Sequence, residues 1–210
     1  GCYVPGVTSI LLTHQLHPIF GFQPMSRAYT KYLQRFDEIW VPDKEDRYLS
    51  GELSRPEDYQ NVHFIGPLSR LHFSAEEPKK RWKSLSLLSG PEPMRSRLEA
   101  KLCEQLEHLA GSHLLIRGVP SERSPEQRGN LQIMDFADAA FLEKNLPASE
   151  YIICRSGYST LMDLAPLPDK KLILIPTPGQ TEQEYLARTQ VQGGDAVAVY
   201  EQANFQLSFE

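Results

Sequence analysis

The chain has 210 residues, 40% hydrophobic and 23% charged, the composition of an ordinary globular protein able to bury a core in one large or two small domains. A net charge of -5 and the lack of any Lys/Arg run argue against a nucleic-acid groove, and the longest apolar stretches, such as Leu172–Pro176, are too short to span a bilayer. The three cysteines, Cys2, Cys103 and Cys154, have neither metal-ligand nor redox spacing and suit a reducing, cytoplasmic setting.

In chain order, Gly1 to Val7 runs directly into Ile10–Thr13, an apolar strand pattern bounded by turn residues, with no signal peptide before it. A domain rarely begins on an interior strand, so upstream sequence is expected to be missing. A helix around Ser26–Gln34 and strands at Glu38–Val41 and His63–Ile65 read as the latter part of an α/β unit over residues 1–70. The charged stretch 71–84, with Pro78, reads as a linker.

From Leu85 onward strands and helices alternate. The strand Leu85–Leu88 breaks at Ser89-Gly90-Pro91-Glu92-Pro93, and Met94, Leu98, Leu102, Leu106 and Leu109 then fall on one helix face. Strand Leu114–Arg117, a polar loop through Gly129, strand Leu131–Met134 and a helix over Ala137–Leu146 follow. Next come strand Tyr151–Cys154, a helix from Ser159, strand Leu172–Ile175, a helix over Gln180–Gln192 and strand Ala196–Tyr200. Such alternation predicts parallel βαβ units in an open, doubly wound sheet with helices on both faces, an α/β fold.

In such sheets ligands sit at the carboxyl ends of the strands. The segment Arg155 to Asp163 is a polar, Gly-containing turn that opens a helix and points backbone N–H groups into the cleft, a disposition that favours phosphate. Asp163, placed in the first helical turn, can accept hydrogen bonds from a ribose, while the Thr160-to-Asp163 spacing fits a helix cap equally well. Pro176 to Glu184 joins a Pro/Gly turn to a run of side chains suited to sugar hydroxyls, or to an ordinary solvated helix start. Ser89 to Pro93 is a third strand-to-helix turn, with a single Gly where phosphate loops hold several. After the first strand, His14 and His17 offer a base or a substrate contact, although a lone loop histidine is more often neither. No Ser/His/Asp set, carboxylate pair or metal-ligand cluster stands out, so neither a metal nor a cofactor is expected.

In this order, the pieces resemble the glycosyltransferase family that includes the N-acetylglucosaminyltransferase of peptidoglycan lipid synthesis, chiefly its C-terminal, donor-binding domain. Arg155-Ser156-Gly157-Tyr158-Ser159-Thr160 is similar to that family's Arg-Ala/Ser-Gly-x-x-Thr turn, and Asp163 stands where its ribose-binding acid stands. Pro178-Gly179-Gln180-Thr181-Glu182-Gln183 resembles its sugar-recognition segment, with Gln183 at the donor-sugar Gln and Glu182 and Gln180 beside it. Phe136, after strand Leu131–Asp135, takes the place where the family's backbone pairs with uracil. Leu12–Gln15, Asp37–Pro42 and Phe64–Pro67 resemble parts of its N-terminal domain.

Ser89–Pro93 stands in place of a Gly-Gly-Ser loop, so Gly90 is its phosphate candidate, and Glu92 repels a diphosphate unless Arg95 or Arg155 offsets it. The family's N-terminal Gly-rich loop and its closing helix have no counterpart. The resemblance implies a GT-B fold, with residues 1–70 as part of the acceptor-side domain, 71–84 as linker and 85–210 as the donor-binding domain. It implies an inverting, metal-independent transfer of a sugar from a nucleotide donor, UDP-linked by preference, to an unknown acceptor hydroxyl. His14 is the weak catalytic candidate, and the missing N-terminal half leaves a peripheral membrane contact open. A GT-B sugar-nucleotide epimerase and a non-catalytic nucleotide-sugar module are the rival readings.

Overall fold

The computed structural model describes residues 6–17, 23–57, 59–74, 78–121, 123–167 and 169–209; the N-terminal readings at residues 1–5 and Pro18 lie outside these. The chain divides into two compact units, Gly1–Leu68 and Ser69–Glu210. Among the described residues, no helix is long and apolar enough to cross a membrane.

The first unit contains β1 (Ile10–Leu12), α1 (Gln23–Leu33), β2 (Glu38–Val41), a 3-10 turn (Gly51–Ser54) and β3 (Val62–Phe64). Its strands are parallel in the order β1-β2-β3. Leu16, Leu33, Ile39, Val41 and Tyr59 form its core. Among the described residues β1 pairs on one side only, with Ile10 and Leu12 43% and 53% exposed, so this apolar strand lies at an open edge. Beyond β2, the buried Asp43 carboxylate accepts from the N–H groups of Lys44, Leu49 and Ser50 and from the Ser50 hydroxyl. Its charge is thereby dispersed over loop donors, which folds the 44–54 segment around it.

The second unit runs β4 (Trp82–Leu87), α2 (Met94–Leu106), β5 (His113–Ile116), β6 (Glu126–Arg128), β7 (Leu131–Met134), α3 (Ala139–Asn145), β8 (Ser149–Cys154), α4 (Tyr158–Leu164), β9 (Lys171–Leu174), α5 (Thr181–Gln192) and β10 (Ala196–Val199). Seven strands lie in the order β10-β9-β8-β4-β5-β7-β6. All pair in parallel except the short hairpin strand β6, which the sequence reading had as polar loop. β5 is buried throughout and β8 and β9 nearly so, as a sheet covered on both faces requires. Alternate residues Leu115, Ile133, Ile153 and Ile173 meet Leu98, Leu102 and Leu106 of α2 in one core, which Leu207 of the C-terminal segment also enters.

Two boundaries move. β4 begins at Trp82 rather than Leu85, because its pairing with β8 starts at Trp82 opposite Ser149; Trp82 is buried there and its indole N–H bonds Asn145 Oδ1 at 2.9 Å. Parts of the expected linker are bonded to the second unit, since the His72 N–H reaches Glu143 Oε1 and the Lys80 ammonium the carbonyls of Pro147 and Ser149.

From β4 the chain builds outward through β5 and β7, then returns to the other side of β4 to lay down β8, β9 and β10. The loops after β4 and β8 therefore diverge from neighbouring strands, the topological switch point where open α/β sheets hold their ligands.

Candidate functional site

A cavity of about 310 Å³ opens in the second unit beside this switch point. Its walls are Leu88 and Ser89 after β4, Gly118 after β5, Phe136 after β7, and Thr160, Asp163 and Leu164 of α4. Arg70 and Leu71 complete it. Phe136 is 54% exposed, a large aromatic surface held at the rim.

The strand ends beneath Phe136 are held by ions. Arg117, just beyond β5, donates to Asp135 Oδ1 at 2.8 Å and to Glu99 Oε1 of α2 at 2.7 Å, while Arg123 Nε reaches Asp135 Oδ2 at 2.6 Å. The Arg117 hydrogen bond above all holds the Asp135 carboxyl down at about 2, so this clamp stays charged at neutral pH.

Asp163 is not in the first turn of its helix but is the penultimate residue of α4, whose N-cap, Gly157, makes no side-chain cap. The helix-cap alternative is therefore removed, and a carboxylate near the C-terminal end of a helix needs a cation to offset the dipole. Arg70 supplies it: its backbone N–H bonds Oδ1 at 3.1 Å and its Nε bonds Oδ2 at 2.8 Å, while the Ser69 hydroxyl donates to the Asp163 carbonyl. Arg70 fell within the presumed end of the first unit and near the linker, and no local pattern marked it.

Arg155 is a correction of another kind. The sequence reading turned it toward a diphosphate, yet it is 1% exposed. Its Nη1 donates to the carbonyls of Ile175 and Pro176, and its Nη2 to Met94 O and Gln202 Oε1. The guanidinium thus straps together the end of β9, the head of α2 and the C-terminal segment. Among the described residues no carboxylate pairs with it, and burial lowers its pKa to about 10, so it remains a cation inside the fold. Ser156 is also turned inward, its hydroxyl donating to Gln183 O at 2.7 Å. Gly157 has an ordinary φ of -69°, and a Cβ there would meet nothing within 4 Å. The backbone does not need this glycine, and the space before it is open. Ser159 is exposed on α4.

At the β4–α2 turn, Gly90 has φ +97°, a left-handed conformation that accounts for glycine there. Arg95 bonds the carboxylates of Glu92 and Glu99 and the Arg117 carbonyl, so it offsets Glu92, the alternative left open for it, and is itself only 15% exposed. At the head of α5, Gln183 Oε1 accepts from the Thr177 N–H at 2.9 Å and its Nε2 donates to Gln180 Oε1 at 2.5 Å. This relay fixes both amides and leaves the Gln180 amino group directed away from Gln183. Thr177 was not among the sequence candidates; among the described residues its buried Oγ1 has no partner, and a Cβ on Gly90 would stand 3.7 Å from it. Glu182 lies partly buried on α5. His14 lies in the first unit, in the loop after β1.

Residues 92–208 match the model of the glycosyltransferase family 28 C-terminal domain. Among solved structures, the chain is similar to MurG of Acinetobacter baumannii, with 13% identity, a TM-score of 0.55, and coverage of 96% of this chain and 55% of that one. It is similar to SnogD, a glycosyltransferase from Streptomyces nogalater, at 13% identity and TM-score 0.54, covering 87% and 50%. The glycotransferase of kitacinnamycin follows at 17% identity and TM-score 0.53, covering 82% and 44%. The chain thus spans about half the length of the solved structures it matches. No curated protein matches its sequence. These neighbours share the GT-B architecture of parallel sheets flanked by helices, and the family model covers more than half of the chain, which belongs to glycosyltransferase family 28 through its C-terminal domain.

Proposed function

We propose that the second unit binds the nucleotide half of a UDP-sugar and that the whole protein transfers the sugar to an acceptor hydroxyl with inversion. The observation that carries this reading is the convergence of Ser89, Phe136 and the α4 residues Thr160 and Asp163, from three separated sequence segments, on one cavity of about 310 Å³ at the switch point of the sheet. In this reading the base lies at Phe136 and the ribose at Asp163. The diphosphate lies before Gly157 and the Ser89-Gly90 turn at the head of α2.

In the transfer, the acceptor oxygen bonds to C1 of the sugar as the bond from C1 to the β-phosphate oxygen breaks. The acceptor proton passes to a base, for which His14 is the candidate. Negative charge grows on the departing diphosphate, which this reading seats beside the Ser89-Gly90 turn and the open space before Gly157. The buried, carboxylate-free Arg155 adds a positive field from beneath, an arrangement that operates without a metal ion. Gln180 and Gln183, locked by their mutual hydrogen bond, supply donors for sugar hydroxyls, with Glu182 beside them. A reducing cytoplasmic setting belongs to the proposal and is supported by the free, buried Cys103 and Cys154 thiols.

Calorimetry with UDP, ADP and dTDP tests the donor assignment. Preference for UDP is expected, and equal or absent binding of all three overturns it. UDP release that requires an acceptor identifies a transferase; release without one identifies an epimerase-type elimination.

A further inference from the structure

The Asp163–Arg70 pair occupies the place where the proposed function puts the ribose. Arg70 folds over the carboxylate so that its own backbone N–H and its Nε bond opposite oxygens, at 3.1 and 2.8 Å. Both residues line the cavity that holds Phe136 and Thr160. Among the described residues, neither terminal amino group of Arg70 has a hydrogen-bond partner, and the side chain stays 72% exposed beside the much less exposed Asp163.

The chemistry of the pair is informative. A carboxylate only accepts hydrogen bonds and a guanidinium only donates them. A vicinal diol does both, through two O–H groups and the lone pairs on the same oxygens. A carboxylate oxygen that takes one N–H keeps a further lone pair for a hydroxyl proton, and a guanidinium anchored through Nε keeps two amino groups for hydroxyl oxygens. The side-by-side pair therefore matches a cis-diol in both directions, which neither residue does alone. Asp163 also fixes the guanidinium, so less freedom is lost when a ligand arrives.

We infer that Arg70 is a specificity-determining residue of the donor site and that, with Asp163, it reads the 2′,3′-diol of the nucleotide ribose. This deepens the UDP-sugar reading of the cavity and rests on it.

The test is calorimetric titration of the full chain with UDP and with 2′-deoxy-UDP, for the wild type, Arg70→Ala and Arg70→Lys. Wild type is expected to prefer UDP by about tenfold, the loss that follows removal of one hydrogen bond to a charged group. Arg70→Ala should lose about tenfold in UDP affinity and most of that preference, with Arg70→Lys between the two and the thermal midpoint little changed, because an exposed ion pair adds little stability. Equal weakening of both nucleotides by Arg70→Ala overturns the diol assignment, as does unchanged affinity. Tighter UDP binding by Arg70→Ala also overturns it and makes the pair a latch that the nucleotide displaces. If wild type binds no uridine nucleotide, the underlying donor reading falls as well, an outcome distinct from failure of Arg70 alone.

Discussion

Replacing Arg155 by Lys separates a strut from a ligand contact. In the native fold the guanidinium satisfies four acceptors: Ile175 O, Pro176 O, Met94 O and Gln202 Oε1. Met94 O keeps a donor without it, because Gln202 Nε2 also bonds there at 3.0 Å. A lysine ammonium places its donors at a single point and cannot reproduce the planar fork, so it reaches one or two of the remaining three acceptors. One or two buried acceptors are then stranded, at roughly 1–3 kcal/mol each, for a loss of about 3 kcal/mol. For a unit of this size that lowers the melting midpoint by roughly 6–12 °C. Differential scanning calorimetry and urea unfolding of Arg155→Lys measure it directly. UDP affinity, measured well below the new midpoint, should change less than stability does, since the positive charge is kept. An unchanged midpoint with a tenfold loss of UDP affinity would refute the reasoning and return Arg155 to the ligand.

Three further outcomes are expected. Asp163→Asn should weaken UDP binding by roughly 1–3 kcal/mol and leave the fold intact, because the pair it breaks has an exposed Arg70; a fall in melting midpoint with unchanged affinity would make Asp163 purely structural. Gly157→Ala should alter stability by less than about 0.5 kcal/mol, given its ordinary φ and open surroundings, yet reduce UDP affinity; unchanged affinity in titration would move the diphosphate elsewhere. His113 is fully buried, with Nδ1 2.8 Å from the Ser84 hydroxyl and its ring stacked on Phe209, and burial depresses its pKa below the ordinary 6.5. The unfolded chain then takes up a proton that the native state refuses, so the stability due to neutral His113 is present above about pH 6.5 and is lost as pH falls through that value toward the folded pKa. Urea midpoints followed from neutral to acid pH should show this slope flattened in His113→Gln, and parallel curves would exclude His113 as its source.

The fold was readable because its signals are local and repeated. Apolar tetrads such as Leu172–Ile175 can persist only in a sheet covered on both faces, and Leu98, Leu102 and Leu106 recur at helical spacing. Where those signals are weak the reading slipped: the all-polar β6 carries no strand pattern and exists through its antiparallel pairing with β7. β4 starts early because its pairing with β8 begins at Trp82 opposite Ser149, far along the chain.

The sequence by itself determined that strands would alternate with helices, where the strand-to-helix turns lie, and that Phe136, Thr160 and Asp163 belong to such turns or the helices that follow them. Tertiary structure alone decided which way each polar side chain in those turns faces. Arg155 and Ser156 stand in the same motif as Gly157, yet the two side chains turn inward to Pro176 O, Gln202 and Gln183 while the glycine faces open space. Arg70 meets Asp163 although 93 positions separate them. The reason is physical: hydrophobic periodicity is written into neighbouring residues, whereas the partner of a polar group is whichever donor or acceptor the folded chain brings within about 3 Å, and chain order does not encode that meeting.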